Sequence, residues 1–165
     1  MDMMFPQSTL NFAQTLLEHA RAQGFRIATA ESCTGGLIAG ALTAVPGSSD
    51  VVERGFIVYS NQAKTDLLGV PQPLIEEHGA VSEEVSRAMA EGALTRSGVE
   101  LAVSCTGVAG PGGGSADKPV GLVHIAAACS GQTTLHLECR FGDIGRDAVR
   151  LRSVEEALKL VLQVL

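Results

Sequence analysis

Tryptophan is absent from the 165 residues, tyrosine occurs once, at Tyr59, and lysine only at Lys64, Lys118 and Lys159. There is no basic surplus either. Twelve Lys+Arg against 18 Asp+Glu leave a formal charge of −6, which removes the electrostatic footprint of a nucleic-acid binder. No apolar run approaches the ~20 residues of a membrane span. Met1 to Leu10 carries no basic residue and no long apolar stretch, unlike a secretory leader. The expected address is therefore the cytoplasm, with neither membrane nor nucleic acid as partner. The four cysteines, Cys33, Cys105, Cys129 and Cys139, include no C-x-x-C pair, and no histidine follows them at ligand spacing. Cys105, Cys129 and Cys139 lie in apolar, strand-like runs and read as buried free thiols, whereas Cys33, beside Ser32 in a polar turn, stays open to a nucleophilic reading. His124 and His136 flank a hairpin turn at Ser130-Gly131. A two-residue loop puts them on opposite sheet faces, so no zinc site is expected.

What is present describes a folded domain. Apolar residues are 45% and charged residues 18%, which excludes a disordered chain. One core spanning residues 1–165 suffices at this length, without metal or disulfide staples. Glycine is the one excess, 19 of 165 against a usual ~7%, clustered at Gly35-Gly36 and from Gly107 to Gly114.

The hydrophobic periods divide the chain into alternating elements. A helix capped by Ser8 runs to Gln23 and stops at Gly24; Arg26 to Ala30 is a strand; a second helix spans about Gly36 to Ala44. Val51 to Tyr59 is a strand with a bulge at Gly55, Asn61 to Leu68 a short helix, and Pro71–Gly79 a loop with one helical turn. Ser82-Glu83-Glu84 caps a strong helix that ends at Gly98. Leu101 to Cys105 is a strand, Gly107 to Pro119 a loop, Gly121–Cys129 and Thr133–Phe141 a hairpin, and about Gly145 to Leu165 a last helix. Strands separated by helices predict an α/β domain with a largely parallel sheet of about five strands, made mixed by the closing hairpin.

Four segments fall where ligands of open α/β sheets bind, at or near strand ends. In Ala28-Thr29-Ala30-Glu31-Ser32-Cys33-Thr34-Gly35-Gly36 a strand turns into a helix and presents Ser32, with amides at the helix start suited to a phosphate or an oxyanion. G-x-S-x-G is absent, Ala30 standing two before the serine, and an ordinary helix start explains these residues as well. In Tyr59-Ser60-Asn61-Gln62-Ala63-Lys64 the lysine falls in the first turn of a helix, where the dipole lowers its pKa, as a base near neutral pH requires; an exposed lysine beside a core tyrosine is the plainer alternative. Cys105-Thr106-Gly107-Val108-Ala109-Gly110-Pro111-Gly112-Gly113-Gly114-Ser115 is neither a P-loop nor G-x-G-x-x-G, yet it offers glycine amides to an anion. Gly142-Asp143-Ile144-Gly145-Arg146 and the following Arg150 put arginines at a helix start, which suits an anion or a solvated face.

The ordered set A-E-S-C-T-G-G, Y-S-N-x-x-K, G-A-V-S-E-E-V, T-G-x-A-G-P-x-G-G and K-P-V-G resembles the CinA C-terminal domain family from about Leu10 to Leu165. The resemblance implies a three-layer α/β/α fold with a mixed, mostly parallel five-stranded sheet. For stand-alone members it implies a nicotinamide-nucleotide amidase, which hydrolyses nicotinamide mononucleotide to nicotinate mononucleotide and ammonia without metal or other cofactor. It makes Ser32 the nucleophile, with Lys64 and Tyr59 assisting, Tyr59 as a proton relay. Backbone amides from Cys33 to Gly36 would take the oxyanion, placing Thr34, Gly35 and Gly36 at the substrate. Thr106, Gly107, Gly110, Gly112, Gly113 and an arginine would hold the remainder, including the 5′-phosphate. The family reads G-D-R where this chain has two extra residues, so Arg146 and Arg150 both stand for that arginine. The partner implied is a small nucleotide, and a homo-oligomer is expected. Two other readings stay open: a nucleotide-binding regulatory or protein-interaction module linked to competence and DNA damage, and an amidase for another amide.

Overall fold

The computed structural model describes residues 3–165. The elements are α1 (Gln7–Gln23), β1 (Ile27–Glu31), α2 (Leu37–Thr43), β2 (Val52–Ile57), α3 (Asn61–Leu68), α4 (Gln72–His78), α5 (Glu83–Ser97), β3 (Leu101–Gly107), β4 (Leu122–Cys129), β5 (Leu135–Arg140) and α6 (Arg146–Val164). The five strands form one mixed sheet in the order β2-β1-β3-β4-β5. β1 lies parallel to β2 and β3, whereas β4 runs antiparallel to β3 and β5.

Alternation within the strands sorts the two faces. Leu101, Val103 and Cys105 of β3 and Val123, Ile125 and Ala127 of β4 join one buried cluster with α1, α2 and α6. On the other face Ala30 and Ala102 pack with Val85, Met89 and Ala93 of α5, and Ala126 and Ala128 meet Ala90. A strand buried on both faces reads as a continuous apolar run, which is why Leu101 to Cys105 shows no polar alternation. Helices α3 and α4 join α5 on the second face, completing an α/β/α sandwich. The crossing of α3 over α5 is close: a Cβ on Gly92 would stand 2.1 Å from the Leu68 carbonyl oxygen.

Four local expectations change. Pro6, not Ser8, is the N-cap of α1; the Ser8 hydroxyl instead donates to Glu155 of α6 at 2.7 Å. Residues 72–78 form a full helix, α4, because proline at its start and Gly79 at its end punctuate two turns rather than a loop. The irregularity in β2 sits at Glu53, where Ile27 pairs with Val52 but Ala28 with Arg54; Gly55 pairs regularly with Thr29. Residues 130–134 separate β4 from β5, so Ala126 pairs with His136 and His124 with Glu138. That register is one residue from the two-residue-loop expectation and brings both histidines to the α5 face. Their rings stack, with Nδ1 of His124 2.9 Å from Nε2 of His136.

Candidate active site

The turn after β1 is tied from every side. The Ser32 amide donates to the Cys105 carbonyl at 2.9 Å, carrying the β1–β3 pairing one residue past the strand. Glu31 is fully buried, and its carboxylate accepts four hydrogen bonds: from the hydroxyls of Thr29 and Thr34 and from the amides of Ile38 and Ala39. A buried carboxylate is tolerable only when it is so satisfied. Arg150 reaches the same turn from α6, donating to the carbonyls of Cys33 at 3.0 Å and Thr34 at 3.3 Å.

This arrangement alters the expected anion site. The first amides of α2 face the carboxylate of Glu31 rather than a ligand, and the Gly35 amide donates to Ser32 O at 3.1 Å. Among the described residues, no carbonyl accepts from the amides of Cys33, Thr34 or Gly36. Thr34 is buried with its hydroxyl on Glu31, so its side chain does not reach the cleft. A Cβ on Gly35 would contact Arg150, and one on Gly36 would contact Ile57.

Lys64 enters from α3, whose N-cap Ser60 accepts from the Ala63 amide at 3.0 Å. It is 1% exposed, and its Nζ stands 3.1 Å from Ser32 Oγ. The Val58 and Tyr59 carbonyls lie 3.0 and 3.1 Å away, and Ser60 O lies at 3.5 Å. Burial pushes the lysine below its ordinary value. Its Nζ donates to both near carbonyls and to Ser32 Oγ, and the serine hydroxyl in turn points to the Tyr59 carbonyl.

Tyr59 contributes to this pair through its backbone. Its carbonyl meets both Lys64 and Ser32 Oγ, the latter at 3.4 Å, while its ring is 65% exposed and its hydroxyl lies 3.5 Å from Arg146. Among the described residues its hydroxyl makes no hydrogen bond to Ser32 or Lys64, and the side chain stands at the mouth of the cleft.

The cleft holds about 200 Å³, below the ~300–1,000 Å³ of sites that enclose a drug-sized molecule. It suits one ring with its reacting group, with the rest of a ligand outside. Ser32, Cys33 and Lys64 form its floor; Thr106, Gly107 and Ala109 line it from the end of β3, and Tyr59 and Arg146 stand on its rim. Thr106 Oγ1 is held by the Ala80 carbonyl at 2.9 Å. Arg146 donates to the Gly110 carbonyl at 2.8 Å, joining α6 to the glycine loop. The two candidate arginines thus separate: Arg146 borders the cleft, and Arg150 braces the turn beneath it. Gly112 and Gly113 are exposed beyond the cleft wall, and Gly110 meets it through Arg146.

Asn61, Ala80 and Val81 also line the cleft and carried no role in the sequence reading. Asn61 sits inside the Tyr59–Lys64 motif, and Ala80-Val81 inside the segment before α5, so position in those motifs was the available signal. Among the described residues, no three His, Cys, Asp or Glu side chains gather as metal ligands, and no helix is long and apolar enough to cross a membrane.

Comparison with known proteins agrees across the chain. The family described as the CinA C-terminal domain matches residues 9–165. A CinA-like protein of Synechococcus sp. is 52% identical over 156 residues, covering 92% of this chain and 36% of that relative. One of Syntrophobacter fumaroxidans is 49% identical over 148 residues, covering 90% of this chain and 34% of its own length. The chain therefore spans about a third of the length of these curated relatives. The crystal structure of a competence/damage-inducible protein from Agrobacterium tumefaciens superposes with a TM-score of 0.97 at 49% identity, covering 99% of both chains. A CinA superfamily protein from Escherichia coli superposes at 0.91 and 34% identity, covering 99% of this chain and 95% of that one.

Proposed function

The chain belongs to the CinA C-terminal domain family, and from that premise we propose that it is an amidohydrolase that converts nicotinamide mononucleotide to nicotinate mononucleotide and ammonia. The observation that carries the reading is the 3.1 Å contact between Ser32 Oγ and a lysine amine held in a buried cage of carbonyls. A serine beside a base of lowered pKa is an activated nucleophile.

Neutral Lys64 takes the Ser32 proton as Oγ attacks the carboxamide carbon. The C–O bond forms, and the carbonyl electrons move to oxygen, facing the amides of Cys33 and Thr34. Collapse of this intermediate breaks the C–N bond, and the Lys64 ammonium returns its proton to the leaving nitrogen, which departs as ammonia. Water attacks the acyl-serine with Lys64 again as base, and Ser32 leaves with the proton. The ring with its amide occupies the cleft, and the ribose phosphate extends to Arg146 and the glycine loop. Thr106 and Ala109 line the cleft from the neighbouring strand end.

The test is ammonia release from nicotinamide mononucleotide in excess chelator, wild type against Ser32→Ala. Release that depends on Ser32 is expected; no release, or equal release by the variant, overturns the reading. Saturable binding without ammonia would point instead to a nucleotide-binding regulatory module. A homo-oligomer belongs to the same proposal, and sedimentation of the purified chain as a monomer would remove it.

A further inference from the structure

Two thiols touch beneath the nucleophile, and the amide chemistry uses neither. Cys33 follows Ser32, and Cys105 precedes Thr106, at the carboxyl ends of the neighbouring parallel strands β1 and β3. Their sulfurs are 3.6 Å apart, and both cysteines are free. They differ in access. Cys33 is 7% exposed where it borders the cleft beside Ser32, whereas Cys105 is fully buried behind it. The other two cysteines make no such contact: Cys129 accepts from Gln132, and burial pushes the Cys139 thiol up to about 11.

We infer that Cys33 and Cys105 are a redox modification site, closed to a disulfide by a hydroperoxide and reopened by a dithiol, and that closure draws Ser32 away from Lys64. The effect on turnover rests on the function proposed above; the thiol chemistry does not.

The pair has an attacking and a resolving member. Hydrogen bonding from Cys105 and the nearby Arg150 guanidinium favour the Cys33 thiolate, while the same contact and full burial hold Cys105 protonated. The Cys33 thiolate attacks the peroxide oxygen. An S–O bond forms, the O–O bond breaks, and the alkoxide leaves as alcohol once protonated. Cys105 sulfur then attacks the Cys33 sulfenic acid; the S–S bond forms, the S–O bond breaks, and the hydroxyl leaves with the Cys105 proton as water. Two thiols are oxidised and one hydroperoxide is reduced to an alcohol and water.

Closure also moves the site. Sulfurs in contact must approach by roughly 1.5 Å to reach a bond of ~2.05 Å. The Cys33 carbonyl is held by Arg150, and the Ser32 amide by Cys105 O, so the displacement falls on a turn with little slack. Misplacing a reacting group by about 1 Å can cost about a hundredfold.

The full chain should be treated with tert-butyl hydroperoxide, digested without reduction and mapped by mass spectrometry, with ammonia release followed in parallel. A single Cys33–Cys105 linked peptide is expected, with release falling at least about tenfold and both changes reversed by dithiothreitol. In Cys105→Ala the link disappears and dimedone traps Cys33 as sulfenic acid; Cys105→Ser replaces it if the alanine variant does not fold. Oxygen added to Cys33 in the wild type without any link overturns the pair, and a complete link with unchanged release overturns the switch. A chain that forms the link but never releases ammonia from any form sinks the proposed amidase and leaves the redox pair standing.

Discussion

Two strand ends meet at the cleft, and they are held in opposite ways. The turn after β1 is buried from Ser32 to Thr34, anchored to β3 by the Ser32 amide, to α2 by the Glu31 carboxylate and to α6 by Arg150. The loop after β3 is exposed from Pro111 to Asp117; the Gly121 amide closes its base on the Val108 carbonyl, Ser115 and Lys118 are tied to each other, and its links outward are Lys118 to the His78 carbonyl and Arg146 to Gly110. A group that breaks covalent bonds loses rate when misplaced by an ångström, so rigidity belongs on the serine side. A segment that grips a charged tail must let it in and out, so openness belongs on the loop side.

The sharpest way to break this contrast is at the nucleophile. Ser32→Ala should lower ammonia release at least about a thousandfold with the thermal midpoint nearly unchanged, while Cys33→Ala keeps most turnover. If Cys33→Ala alone abolishes activity in a folded protein, the wrong residue of the turn has been assigned.

Next in size is the base. Lys64→Arg should be nearly as inactive as Lys64→Ala, about a hundredfold or more below wild type, because a guanidinium keeps the charge but cannot accept a proton. The base works when neutral, so activity should climb with pH on one limb. Burial lowers the pKa, so the midpoint falls below the ordinary ~10.4 of lysine. An arginine variant with the wild-type pH profile would make Lys64 an electrostatic anchor.

The loop side should respond through binding. Arg146→Ala is expected to raise KM for nicotinamide mononucleotide about tenfold or more with a smaller change in kcat. Arg150→Ala should lower kcat and the thermal midpoint together, since that side chain braces the turn. Nicotinamide riboside, lacking the phosphate, should be a much poorer substrate than the nucleotide; comparable kcat/KM for the two would remove the phosphate from the account.

Within the loop, the glycines should divide. A Cβ on Gly107 would stand 2.8 Å from the Leu122 carbonyl oxygen, and Gly107→Ala should cost about 1–3 kcal/mol in a denaturant titration. Nothing lies within 4 Å of a Cβ at Gly112, so Gly112→Ala should stay within about 0.5 kcal/mol. If both destabilise alike, the loop is less open than its exposure indicates.

The smallest effect serves as a control on the pH profile. Burial pushes both His124 and His136 below their ordinary value, with Glu83 and Arg87 of α5, Glu138 of β5 and Lys118 of the loop facing them. The folded state therefore favours the neutral rings. Their contribution to stability is complete above the unfolded value of about 6.5 and is lost as pH falls through the lowered folded values. Urea midpoints should drop in that acidic window in the wild type and less in His136→Gln. The lysine limb lies on the alkaline side and should be untouched by this substitution.

Much of this plan was legible from residue types. Ser82-Glu83-Glu84 marked the start of α5, with Ser82 Oγ accepting from the Val85 amide. The lysine placed against a helix dipole drew attention to Lys64, which meets Ser32 across 32 positions of chain. The α4 helix was hidden because Pro71 and Gly79 read as loop punctuation when only two turns separate them. The histidine pair depended on hairpin length, where one residue flips every side chain. What Tyr59 supplies to Ser32 and Lys64 is a carbonyl, and a carbonyl is common to all residues, so no letter of the sequence could announce it. The anchoring role of Glu31 was not legible because its four donors come from residues that only the fold gathers.

The anchored turn has a consequence for how this protein loses its order. The Ser32 amide is bonded to β3, the strand at the centre of the sheet, and its neighbours are fastened to α2 and α6. A segment shared by three elements has no way to open while they remain docked. In hydrogen–deuterium exchange the Ser32 amide should be released only with the whole sheet, whereas amides near Gly112 exchange within the native state. Ser32 then belongs to the last unit of the molecule to come apart, and under the proposed function residual activity during denaturation would count intact molecules rather than loosened ones.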